Sequence, residues 1–514
     1  MSKVNKDYHA IIDIGSNTMR LVIYLQEQTG RFRKVENVKA VARLRNHLDT
    51  DNHLTEQGQT ILINTLTDFK SVLKIYPLTH FACVATATIR QAANNKQLVK
   101  RVKDEFNWTM RILSEDEEAY YGYLAVVNST SIREGLTIDM GGGSTEVTYF
   151  KDRKLINQHS FPFGTLTLSN LLNDDRSNEE NFRVIKQFVN KQFQTLSWLK
   201  DRHVPLIAIG GSARNLAQID QEDKAYPMAS LHQYQMTEAD IVRINDHLQS
   251  LPAKKLQKVE GLSRDRADII IPAIETFLSL YRFAKADGFI LSQKGLREGV
   301  NYQLLLANQP NHLFPNVLTD SIQELINDFD LNMKQIHHVQ SLTRKLFNKL
   351  VSKKVKMLNK KDWQLLKQAA NVYNLGDYID TESSAQHTFY ILANRSIDGL
   401  MHIDKLKLAL VSSFKNKTVY KQFTKPYKNW LTKKEREKLQ LLGALLKFTY
   451  CLDATKRQII KDFDLKISRR TIKLTLYCSE NASSEAYQSE KQKKHIEQAL
   501  GRKINMRFVK QQTT

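Results

Sequence analysis

The stretch that most restricts how this chain folds is Asp139-Met140-Gly141-Gly142-Gly143-Ser144-Thr145-Glu146. Leu136-Thr137-Ile138 leads into it, and Val147-Thr148-Tyr149-Phe150 follows. Apolar and β-branched runs around a glycine turn read as strand, tight turn, strand. Three consecutive glycines cost chain entropy, so the turn must need them. The usual need is close approach of backbone N–H groups to an anion, most often phosphate. An acid on each side of the turn points to a divalent cation beside that phosphate. The design recurs near the start, where Ile11-Ile12-Asp13-Ile14-Gly15-Ser16-Asn17-Thr18 runs into Leu21-Val22-Ile23-Tyr24, 126 positions earlier. Two hairpins of one kind imply two related halves facing each other across a cleft, each with one phosphate-binding turn.

At 514 residues the chain exceeds one core and has room for about three or four domains. No apolar run approaches the ~20 residues of a membrane span, and Met1 to His9 lacks a signal-peptide core. Cys83, Cys451 and Cys478 are too few and too far apart for a disulfide framework or a zinc knuckle. A cytoplasmic, reduced protein is expected. Charge is divided sharply. Residues 1–330 carry 39 Lys+Arg against 39 Asp+Glu, whereas 331–514 carry 37 against 15, so the whole net charge of +22 lies in the last 184 residues. A neutral part bearing phosphate turns is joined to a basic part suited to a polyanion.

Residues 1–122 read as one α/β half and 123–305 as a second. A helix is expected over 54–76 with Thr55 as N-cap. Phe81 to Thr86 reads as a buried strand turning into a helix, with Arg90 at the corner either aimed at the cleft or on the surface. Ser114 and Glu117 fit a capping box, and the acids Glu115, Asp116, Glu117 and Glu118 suit a helix dipole. Four acids in one turn repel one another, so a catalytic role for one stands beside the structural reading. The strand Leu206–Ile209 runs into Gly210-Gly211-Ser212, which serves either as a third anion-friendly helix start or as close packing. Residues 306–430 read as helical, over 322–329, 337–350, 363–373 and 406–413. Lysines crowd the connections, as at Lys353, Lys354, Lys356, Lys360 and Lys361. Residues 431–514 read as a small basic α+β domain with a helix over 434–447 and a strand over 471–477.

The paired Asp-x-Gly turns resemble those of the actin-like, sugar-kinase and Hsp70 ATPase superfamily. Asp13 to Thr18, Thr86-Ala-Thr-Ile-Arg-Gln-Ala92, the Glu117-Glu118-Ala119 helix start, Asp139 to Glu146 and Leu296-Arg-Glu-Gly299 follow in order. As a set they resemble the exopolyphosphatase/guanosine pentaphosphate phosphatase family, closely over 1–305 and loosely over 306–514. The resemblance implies two actin-like (ribonuclease H-like) halves around a cleft, an all-helical HD-like domain and a small α+β domain. It also implies hydrolysis of a terminal phosphoryl group, with Glu118 as the base for water. Asp139 and Glu146 become the acids that place Mg²⁺ or Mn²⁺, and Arg90 neutralises developing charge. Asp13 either touches metal or holds its turn. Gly15, Ser16, Asn17 and Thr18 cradle phosphoryl oxygens with Gly142, Gly143, Ser144 and Thr145, while Gly211 and Ser212 add the third anion-binding turn. In the HD-like segment Tyr373 and Asn374 stand where that fold's metal pair would be, so no second metal centre is expected there.

Inorganic polyphosphate is the expected substrate, because so extended a basic surface exceeds what one nucleotide needs. Guanosine pentaphosphate, cut to tetraphosphate, is the alternative at the same site. From another class, an actin-like ATPase or kinase would use Gly210-Gly211-Ser212 in an adenosine pocket. A nucleic-acid binder is disfavoured, since the lysines lack an interleaved aromatic motif. The family resemblance suggests a homodimer.

Overall fold

The computed structural model describes residues 7–26, 32–173, 176–354 and 358–510; Met1 to Lys6 and Lys356 lie outside them. The chain divides into two compact units, Met1–Tyr226 with Ser230–Val317, and Pro227–Ala229 with Leu318–Thr514.

The first unit contains two sheets of one design. Strands β1 (Asp7–Ile14), β2 (Thr18–Gln26), β3 (Phe32–Val41), β4 (Leu78–Ala85) and β5 (Met110–Ile112) form a sheet in the order β3-β2-β1-β4-β5. The second sheet holds β6 (Gly135–Met140), β7 (Thr145–Lys151), β8 (Lys154–Phe161), β9 (Leu206–Ile209), β10 (Gln235–Met236) and β11 (Phe289–Leu291), in the order β10-β11-β9-β6-β7-β8. In each, an antiparallel three-strand meander leads to two parallel strands, so β1 corresponds to β6, β2 to β7, β4 to β9 and β5 to β11. This duplicated topology gives the two related halves expected from the two hairpins.

Both faces of β1 are covered, which explains the consecutive apolar residues Ala10-Ile11-Ile12. Ala10, Ile12 and Ile14 pack with Leu62, Leu66 and Phe69 of helix Glu56–Leu73, which Thr55 caps by accepting from the Gly58 amide. Ile11 packs on the other face with Tyr121 and Val300, from helices Glu115–Val127 and Leu296–Leu305. The expected boundary at 122/123 falls inside helix Glu115–Val127, which touches both sheets' cores.

Those two helices meet at Gly299, where a Cβ would lie 2.1 Å from the Tyr121 carbonyl oxygen. Backbone cannot yield as a side chain does, so Gly299→Ala is expected to destabilise the first unit by about 1–3 kcal/mol or more, read as a lowered urea midpoint. An unchanged midpoint would show that the helices slide freely.

The second unit begins with helices Val317–Asp328, Met333–Ser352, Asp362–Asn371, Ser384–Asn394, His402–Ser412, Lys417–Thr424 and Lys433–Cys451. A sheet of β12 (Ile460–Ile467), β13 (Thr471–Cys478) and β14 (Lys503–Lys510) follows, with helix Ser483–Leu500 joining its last two strands. Helix Lys433–Cys451 buries Leu439 to Leu446 against Met333–Ser352 and His402–Ser412, so it belongs to the helical layer as much as to the sheet domain expected from 431 onward. Asn374 takes a left-handed φ of 55° ahead of the short turn Leu375–Tyr378, while Tyr373 is buried and donates to the Phe414 carbonyl. Among the described residues no helix is long and apolar enough to cross a membrane.

Candidate active site

The two hairpin turns face one cavity within the first unit. They are built alike. The Gly15 amide donates to the Thr18 carbonyl at 3.1 Å, and the Gly141 amide to the Ser144 carbonyl at 3.0 Å. Neighbouring segments hold four more carbonyls: Arg45 donates to Ser16, Ala42 and Arg43 to Asn17, Thr165 to Gly141, and Leu166 to Gly142. By contrast, the amides of Ser16, Asn17, Gly142, Gly143 and Ser144 find no carbonyl partner among the described residues. Turns with most carbonyls occupied and several N–H groups free are suited to cradle an anion. The Asn17 side chain is buried at the cavity with neither polar atom satisfied, a further group prepared for a ligand. The turns also touch each other. A Cβ on Gly142 would lie 3.1 Å from the Ser16 Cβ, and one on Gly143 3.1 Å from its Oγ, so contact between halves accounts for two of the three glycines.

Ser114 caps helix Glu115–Val127 in the expected capping box with Glu117. One residue further on, Glu118 lines the cavity, and its Oε2 accepts from Arg90 Nη1 at 3.0 Å. Burial raises its carboxyl to about 7; Arg90 opposes the shift, while Asp139 and Asp13 add to it. Asp139 and Glu146 sit opposite one another on β6 and β7. Burial and the charge of Asp13 raise Asp139 to about 6. Glu146 is pushed well above its ordinary value by burial, Glu118 and Asp139, although the Ser160 hydroxyl donates to it at 2.8 Å. Asp13 is raised by burial, and Arg297 engages it at 2.8 Å.

Sequence reading misses most of the positive side of this cavity. Arg20, Arg214, Arg266 and Arg297 all line it. Burial first, then Arg297 and Arg214, lower Arg20 to about 10, which shows how tightly these cations share the space. They come from β2, helix Gly210–Asp223, the turn Arg264–Arg266 and helix Leu296–Leu305, so no shared spacing announces the cluster, although Arg297 lies within the Leu296–Gly299 motif. One signal was available for Arg20. The offset of 126 aligns it with Glu146, and the strand registers agree, pairing Asp13 with Arg20 and Asp139 with Glu146. The repeat places a cation in one half where the other places an acid.

Of the expected site residues, Asp13, Gly15, Ser16, Asn17 and Thr18 line the cavity, with Glu118, Asp139, Gly142, Ser144, Glu146 and Gly211. Four stand back from it. Arg90 donates to Glu118 and to the Leu113 carbonyl rather than lining the cavity. Gly143 abuts Ser16, and the Thr145 hydroxyl donates to the Phe163 carbonyl. Ser212 accepts from Arg266 at 3.2 Å. Arg266 lies so close over Gly211 that a Cβ there would be 2.1 Å from its Nη2; a guanidinium fills the corner that an adenosine pocket would need.

Among the described residues no three His, Cys, Asp or Glu close into a metal cage. Buried Glu146 and half-buried Asp139 instead offer two hard-oxygen donors at the cavity. That set fits Mg²⁺, which binds through one or two carboxylates and completes its shell with water and substrate phosphate.

Comparison with known proteins places these features in a family. The model of the Ppx/GppA phosphatase family matches residues 22–308, and that of domain III of Ppx/GppA phosphatases matches 317–493. The Ppx/GppA family member of Aquifex aeolicus is 26% identical, with a TM-score of 0.53 over 59% of this chain and 99% of its own. An exopolyphosphatase from Cytophaga hutchinsonii, 22% identical, shares the fold with a TM-score of 0.53 over 58% of this chain and 98% of its own. The first match alone spans more than half of the sequence, and the chain belongs to the Ppx/GppA phosphatase family.

Proposed function

We propose that the cleft removes the terminal phosphoryl group of inorganic polyphosphate by water attack. The observation that carries this reading is the meeting, in one cavity, of a part-buried carboxylate, two turns with free amides and four arginines. Glu118, once deprotonated, orients a water and accepts its proton. Arg90 holds that carboxylate in position. The amides of Ser16, Asn17, Gly142, Gly143 and Ser144 bind the phosphoryl oxygens, and the cavity arginines take the charge that develops on them. Asp139 and Glu146 would hold Mg²⁺ or Mn²⁺, which would supply neutralisation of phosphate charge.

The second unit contributes affinity. It carries nearly all of the +22 excess, and a chain anion that displaces counterions from such a surface binds in a salt-dependent way. Affinity for long-chain polyphosphate is expected to fall about ten-fold or more between roughly 50 and 200 mM salt, with tripolyphosphate affected less. Equal salt dependence for the two lengths would remove the basic unit from substrate binding. The deciding assay is phosphate release with Mg²⁺ from long-chain polyphosphate and from guanosine pentaphosphate. Preference for the nucleotide would favour the second reading, which the four arginines also support, since a nucleotide phosphorylated at two positions needs cations from both halves.

A further inference from the structure

One short segment ties the first phosphate turn to an arginine of the opposite half. Residues Ala42, Arg43 and Arg45 follow β3, and their amides hold the carbonyls of Asn17 and Ser16. Arg43 does so with a left-handed φ of 44°, strained for a residue with a Cβ. The same segment reaches across the cleft. Lys39 Nζ meets Asp265 Oδ2 at 2.6 Å, and Arg43 Nη1 meets Asp268 Oδ2 at 3.1 Å. Asp265 and Asp268 flank Arg266, the residue that enters the cavity over Gly211 and donates to Ser212. Lys39 also pairs in register with Arg20, another cavity arginine.

We propose that Lys39, Arg43, Asp265 and Asp268 form a latch across the cleft mouth that positions Arg266 over the anion site. The idea rests on the phosphoanhydride reading for its substrate but not for its geometry. Both pairs are partly solvent-exposed, so each is weak and screened by salt. The four residues touch no phosphate themselves; they act through Arg266.

The test is a charge swap read in two backgrounds. Lys39→Asp or Asp265→Lys alone is expected to weaken tripolyphosphate binding by about three- to ten-fold, measured by calorimetry on Glu118→Gln protein, with thermal midpoints unchanged. The double swap should return affinity to within about two-fold. In an Arg266→Ala background the single changes should have no further effect, because non-additivity marks residues acting through one another. A full effect there, or a swap that rescues nothing, overturns the latch. If wild type releases no phosphate but binds tripolyphosphate with the expected coupling, the functional reading falls and the latch stands. No tripolyphosphate binding by wild type overturns both.

Discussion

Glu118→Gln is expected to release phosphate about 10²- to 10⁴-fold more slowly than wild type, with KM changed little. The substitution keeps the shape and the hydrogen bond from Arg90 but removes the basic oxygen. The turns and arginines that bind substrate are untouched, so the loss falls on kcat. The pH profile supplies a second, independent reading. Burial, reinforced by Asp139 and Asp13, lifts the Glu118 carboxyl to about 7, and a base must be deprotonated to act. kcat/KM of the wild type should therefore climb as pH rises through about 7 and then level off. Arg90 lowers that pKa, so Arg90→Ala should move the rising limb to higher pH while also slowing turnover. Near-normal rates for Glu118→Gln, or a limb that stays put in Arg90→Ala, would place the base elsewhere.

How much of this could be read from the sequence depends on how local each feature is. The Asp13 and Asp139 hairpins are legible because strand, glycine turn and strand lie within a dozen residues, and their repetition signals the duplicated sheets. The capping box at Ser114 is legible for the same reason. Helix Ile270–Phe283 is not singled out, because every residue from Ile270 to Tyr281 is buried and no polar face gives it a period. The arginine cluster is illegible in another way. Arg20, Arg214, Arg266 and Arg297 converge only after both halves have folded. The glycines mislead in part, since Gly142 and Gly143 are small for Ser16 of the facing turn as well as for a phosphate. Arg90 sits at the expected strand-to-helix corner, yet which neighbour it engages is a tertiary fact.

Glu146→Gln should cost activity and gain stability at once. Glu146 is one of the two carboxylates offered to the metal, and a lost ligand there should forfeit several kcal/mol of transition-state stabilisation, about 10²-fold or more in rate. The same carboxylate is a burden on the metal-free fold. It is buried, faces Glu118 and Asp139, and titrates well above its ordinary value. A raised folded pKa means the folded state binds the proton more tightly than the unfolded chain. Stability is then greatest below the ordinary value of 4.5 and declines as pH rises from there toward the folded pKa. Glutamine removes that decline. In chelator at pH 8 the variant should melt about 2 °C or more above wild type, and the gap should shrink as pH falls toward 4.5. Adding Mg²⁺ should reverse the order, because an ion that binds only the folded wild-type site raises its midpoint selectively. A variant that melts below wild type in chelator at pH 8, or gains as much from Mg²⁺, would mean that the charge of Glu146 is already neutralised by the protein itself and that the metal is held without it.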